Sequence, residues 1–84
     1  MIELLYFAWV RERIGMDGER LALPAGVDTV AGLLDHLESR GDAYRAALGE
    51  RGRLRVAVNH GFAPLDAPVQ AGDEVAVFPP VTGG

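Results

Sequence analysis

"TVAGLLDHLESRG", Thr29 to Gly41, is the stretch that decides the fold class of this chain. Val30, Leu33, Leu34 and Leu37 fall at i, i+3, i+4 and i+7, which lines one face of an α-helix with apolar side chains. Asp28 precedes the pattern as its expected N-cap and Gly41 follows it as its expected stop. A helix with one apolar stripe needs another layer to cover it, and the segments on either side supply a sheet.

Upstream, Ile2 to Val10 reads as a strand rich in aromatic and branched residues. Strand alternation would turn Ile2, Leu4, Tyr6 and Ala8 inward and leave Leu5, Phe7 and Trp9 on the outer face with Glu3. "RERIG", Arg11 to Gly15, reads as a polar turn in which Arg11 and Glu12 form a local ion pair. Glu19 to Leu23 reads as a second strand with Leu21 and Leu23 inward, ended by Pro24.

Downstream, Asp42 to Leu48 reads as a short helical turn ended by Gly49. In "RLRVAVN", Leu54, Val56 and Val58 point inward and Arg53, Arg55 and Ala57 outward. "NHG", Asn59 to Gly61, is a tight hairpin turn. A loop with Pro64 and Pro68 and a turn at Gly72 and Asp73 lead to "EVAVF", with Val75 and Val77 inward and Glu74, Ala76 and Phe78 outward. Pro79 and Pro80 cannot donate ladder hydrogen bonds, so the sheet ends there. The expectation is an α+β roll over residues 1–78, one mixed sheet of four to five strands packed on one main helix, followed by an extended, flexible tail over 79–84. Phe7 and Phe78 would share the outer face with Ala57 and Ala76, an apolar patch of the kind that marks a partner surface.

Composition narrows the function. A chain of 84 residues supports one core and no deep enzyme cleft as well. The net charge is −4 and the eight basic residues, all arginine, are scattered along the sequence, which argues against a nucleic-acid partner. No apolar run approaches the ~20 residues of a membrane span. "MIELLYFAWV" lacks a basic region and a cleavage site, and the chain has no cysteine, so the expected location is the cytoplasm with no membrane partner. Ser39 has no histidine partner in view, His36 and His60 read as solvated, and no metal-ligand cluster or phosphate loop is present in the sequence.

What remains is "FPPVTGG", Phe78 to Gly84. Gly83 and Gly84 have no Cβ and can enter a channel too narrow for other residues. Pro79 and Pro80 favour an extended lead-in, which lowers the entropy lost on threading into a partner. The carboxylate after Gly84 is then a group that can be offered alone, and it needs activation, for example as a mixed anhydride with AMP, before it reacts.

"LYFAWVRERIG", "VAVN", "GDEVA" and "FPPVTGG", in this order, resemble the small subunits of molybdopterin synthase, ubiquitin-like sulfur carriers. The resemblance implies a β-grasp fold. It implies that an E1-like adenylyltransferase, using ATP and Mg²⁺, adenylates Gly84, and that a sulfur donor enzyme then converts it to a thiocarboxylate. No permanently bound cofactor and no metal on this chain are implied. The tail, Pro79, Pro80, Val81, Thr82 and Gly83, would insert into the large synthase subunit within a heterotetramer of two small and two large chains. There the sulfur passes to cyclic pyranopterin monophosphate, with acid–base groups supplied by the large subunit. The family's hydrophobic contact surface falls on Phe7, Phe62 and Phe78. Two other readings stand beside this one: a carrier for thiamine or tRNA thiolation, whose members usually lack "FPP", and a non-catalytic β-grasp interaction module. The absence of lysine reads first as genomic codon bias; the second reading is that a chain with neither lysine nor cysteine protects an activated tail from reacting with its own side chains.

Overall fold

The apolar stripe of the central helix is wholly enclosed. In the structure, a computed structural model that describes residues 1–80, that helix is α2, Val30–Glu38, and Val30, Leu33, Leu34 and Leu37 are inaccessible to solvent. It follows β1 (Ile2–Tyr6), α1 (Ala8–Ile14) and β2 (Gly18–Leu21), and precedes α3 (Asp42–Leu48), a 3-10 turn (Arg51–Arg53), β3 (Arg55–Val58), β4 (Gly61–Ala63) and β5 (Glu74–Phe78). The five strands form one mixed sheet in the order β2-β1-β5-β3-β4. Its central pair, β1 and β5, is parallel, and the other three pairs are antiparallel. The first and last strands of the domain are therefore neighbours, and α2, between them in sequence, crosses one face of the sheet. This is the α+β β-grasp roll. Ile2, Leu4, Tyr6, Val56, Val75 and Val77 point from the sheet into that core.

Several local expectations shift. The N-cap of α2 is Thr29, whose hydroxyl accepts from the Gly32 amide at 3.1 Å, and not Asp28. The helix stops at Ser39, two residues before Gly41. The second strand starts and ends earlier than Glu19 to Leu23, and Leu21 and Leu23 are half-buried against the core. Gly61 leaves the hairpin turn and opens β4, because Asn59 and His60, both at positive φ, already complete a two-residue turn between Val58 and Gly61.

The largest shift is at the first strand, which ends at Tyr6 instead of Val10. The chain turns at Phe7 and Ala8 and continues as α1, so "RERIG" is helical up to its cap at Gly15, which has φ 94°. Val10 and Ile14, four residues apart, are the buried side of this helix, a helical spacing hidden between charged residues. Ala8 is exposed instead of inward, and Arg11 and Glu12 form no ion pair with each other. The turn holds Ala8 at φ 54°, a left-handed conformation that a Cβ disfavours. Ala8→Gly should relieve this and stabilise the fold by about 1 kcal/mol, read as a rise in the urea midpoint with an unchanged slope.

Glu19 is the carboxylate that closes one edge of the core. It lies opposite Leu4 on β2 and accepts from Tyr6 Oη at 2.9 Å, Tyr44 Oη at 2.6 Å and Arg40 Nη1 at 2.9 Å. Burial alone would raise its pKa, but the hydrogen bonds from Tyr44, Tyr6 and Arg40, with the charge of Arg40, outweigh it and hold the group below its ordinary 4.5. Burial and the neighbouring Glu19 raise both tyrosines, which therefore stay protonated as donors. A carboxylate held below its ordinary value adds stability that is complete above about pH 4.5 and is lost as pH falls through its folded pKa. Glu19→Gln should cost about 1–2 kcal/mol at neutral pH. The gap between the two proteins should close on acidification below pH 4.5, measured by urea unfolding across that range.

Candidate functional site

The face of the sheet turned away from α2 carries the site, and strand register assembles it. Leu5 pairs with Ala76, Ala76 with Ala57, and Ala57 with Phe62, so one row runs across β1, β5, β3 and β4. Ala76 and Ala57 keep the middle of this row low, and Phe62 stands at its end, 81% exposed. In the next row Phe78 lies opposite Arg55. The rings of Phe62 and Phe78 meet with centroids 5.9 Å apart, tilted by 50°. At the other side of β5, Phe7 follows the Tyr6–Val77 pair and donates its amide to the Val77 carbonyl at 3.2 Å. The Phe7 carbonyl accepts from the amides of Val10 and Arg11, so the corner is pinned on both sides while the side chain is 46% exposed.

Where β5 ends, a groove of about 690 Å³ opens at this end of the sheet. Phe62, Phe78, Pro80, Leu65 and Arg55 are among its walls. Pro79 and Pro80 are half-buried beside it. Val81, Thr82, Gly83 and Gly84, the rest of the expected tail, lie outside the described residues. The structure thus brings Phe62, Phe78 and Pro80 to one groove and puts Phe7 on the same face across β5. Phe62, which strand parity left undecided beyond the hairpin, points away from the core.

Leu65 was absent from the sequence reading and is 42% exposed in the groove wall. Its signal in the sequence was a lone leucine between Pro64 and Pro68 in an otherwise small and polar loop. Trp9, expected on the outer face, instead leaves the sheet on α1, packs partly on the core and carries Arg13 and Arg53 over its ring. Among the described residues no group of three or more histidine, cysteine or carboxylate side chains could hold a metal ion, and no helix is long and apolar enough to cross a membrane.

The sequence model described as the ThiS family matches residues 4–84. The chain belongs to the ThiS family. Within this family it is 44% identical over 84 residues to the molybdopterin synthase sulfur carrier subunit of Haemophilus influenzae, and 46% identical to that of Escherichia coli. In both cases all of this chain and all of the relative are covered. Among solved structures, the small archaeal modifier protein 1 of Haloferax volcanii superposes with a TM-score of 0.74 at 31% identity, over 95% of this chain and 97% of that one. A chain of the complex of subunits 1 and 2 of the molybdopterin-converting factor from Helicobacter pylori shares the fold, with a TM-score of 0.66 at 20% identity over 99% and 97% of the two chains.

Proposed function

We propose that this ThiS-family chain is the sulfur carrier of molybdopterin synthase and serves in molybdenum cofactor biosynthesis as the small subunit of that enzyme, in the cytoplasm. The observation that carries the reading is the exposed Phe62–Phe78 pair beside the point where Pro79 and Pro80 leave β5, in a chain covered end to end by relatives named for this role. An aromatic surface next to the exit of a tail lets one partner grip the domain and receive the tail together.

In this reading the Gly84 carboxylate attacks the α-phosphorus of ATP on an E1-like adenylyltransferase, releasing pyrophosphate and leaving an acyl adenylate. Sulfide-level sulfur delivered by a donor enzyme attacks the acyl carbon, the acyl–oxygen bond to AMP breaks, and a thiocarboxylate remains. In the synthase, Val81, Thr82 and Gly83 thread into the large subunit, Phe7, Phe62 and Phe78 bind its surface, and the thiocarboxylate sulfur attacks a side-chain carbon of cyclic pyranopterin monophosphate, a C–S bond forming as a C–O bond of the precursor breaks. Hydrolysis of the acyl–sulfur bond then returns the carboxylate. Two carriers in turn would build the dithiolene, within a heterotetramer. In this division of labour the activating enzyme holds Mg²⁺ and the large subunit supplies the proton transfers.

The test is the intact mass of the chain after incubation with the adenylyltransferase, ATP and a sulfide source. The expected result is replacement of one oxygen by one sulfur at Gly84, followed by its loss when the large subunit and the pterin precursor are added. An unchanged mass, with the same adenylyltransferase active on another carrier, would overturn the reading.

A further inference from the structure

Four of the eight arginines, Arg11, Arg13, Arg20 and Arg55, have no carboxylate within 4 Å among the described residues. Arg40 bonds Glu19, Arg45 bonds Asp42, and Arg51 bonds both Asp35 and Glu38. Arg13 and Arg55 instead donate to backbone carbonyls, Arg13 to Ala46 at 3.3 Å and Arg55 to Leu54 at 2.8 Å, with no carboxylate within 4 Å among the described residues. Arg53 has only an exposed Glu50 at 3.9 Å, a distance at which a surface pair contributes little. Such isolation is unexpected in a chain with twelve carboxylates against eight arginines.

The positions of these groups are set by Trp9. The Arg13 guanidinium carbon lies 4.5 Å from the centre of the indole ring and that of Arg53 5.5 Å from it. One arginine comes from α1 and the other from the turn before β3, so the ring gathers cations from two distant parts of the chain. A guanidinium over an indole is held by its face and keeps edge N–H groups for a partner in its own plane, which is the geometry a carboxylate fits. Stacking also fixes side chains that would otherwise lose rotamer freedom on binding. Two residues on from Arg53, Arg55 pairs with Phe78 across the sheet and forms part of the groove wall with Phe62.

We propose that Trp9, Arg13, Arg53 and Arg55 form a cationic shelf that receives a carboxylate-rich segment of the protein docked on the Phe62–Phe78 face, an inference that rests on the carrier reading above. The occupant is a protein segment because Arg55, two residues from Arg53, lies opposite Phe78 in the groove wall, so a partner seated on the Phe62–Phe78 face is the molecule nearest these arginines. The shelf gives the interface its electrostatic steering, while the phenylalanines supply its apolar hold.

Trp9 is the only tryptophan, so its fluorescence reports this shelf alone. Hexaglutamate added to the isolated protein at low salt should change that fluorescence saturably. The affinity should weaken about tenfold in about 0.15 M salt, and the response should vanish in Arg13→Gln/Arg53→Gln. In association with the large subunit of molybdopterin synthase, the same double variant should bind about tenfold more slowly at low salt with its dissociation rate unchanged. An equal response to hexalysine, no response to hexaglutamate, or binding of pyrophosphate in its place would overturn the proposal. So would wild-type association by the double variant under conditions where Phe62→Ala fails to bind, an outcome that leaves the carrier reading standing. Failure of the unmodified protein to bind the large subunit would instead sink the carrier reading and, with it, the docked partner assigned to the shelf.

Discussion

A chain lacking Gly84 is expected to fold like the full chain and to carry no sulfur. Among the described residues every buried apolar residue lies between Ile2 and Val77, so the core closes well before the tail, and the urea midpoint should be unchanged. The chemistry, in the proposed mechanism, depends on where the last carboxylate reaches. Removing one residue draws that carboxylate back by about 3.5 Å, and a misplacement of about 1 Å can already cost a reaction about a hundredfold. Sulfur loading followed by intact mass should fall below detection, and synthase activity with the large subunit should drop at least about a hundredfold. Retained loading by the shortened chain would mean that the last glycine is dispensable and that the carrier chemistry lies elsewhere.

The second large effect is expected at Phe62. A side chain 81% exposed contributes little to the core, so Phe62→Ala should move stability by no more than about 0.5 kcal/mol. Its ring rests against Phe78 and stands at the end of the apolar row, where an aromatic anchor carries a large share of binding. Affinity for the large subunit, measured by calorimetry, should fall by about 2 kcal/mol or more, roughly thirtyfold. A variant that is equally stable and binds as tightly as the original would move the interface away from this face.

Both effects depend on features that were unequally legible in the sequence. The stripe of α2 was fully so, because Val30, Leu33, Leu34 and Leu37 repeat at a spacing that only a helix turns to one side, and all four are inaccessible. β5 was equally clear: Val75 and Val77 alternate with Glu74, Ala76 and Phe78, and the prolines that follow end the ladder. The first strand was misjudged beyond Tyr6 because Phe7, Ala8, Trp9 and Val10 are apolar in unbroken succession, and such a run carries no period of its own. The burial of Val10 with Ile14 is helical, but one apolar pair among charged residues is a faint signal. Glu19 was read as one more alternating strand residue; its partners come from β1, the turn after α2 and α3, positions up to 25 residues away.

By itself the sequence determined the helix, the strands around it and the place where the sheet must stop, because these follow from the spacing of apolar side chains and from the missing donors of proline. It also carried the resemblance that the ThiS-family match bears out. Only the tertiary structure decided that the chain turns at Phe7, that Phe62 faces outward to meet Phe78, and that Arg13 and Arg53 share one indole. The reason is that side-chain parity is lost at every turn. Which side chains meet across the sheet is then set by register, here between β1 and β5, with Leu5 beside Ala76, and by the packing of α1 against α3 that brings distant arginines together.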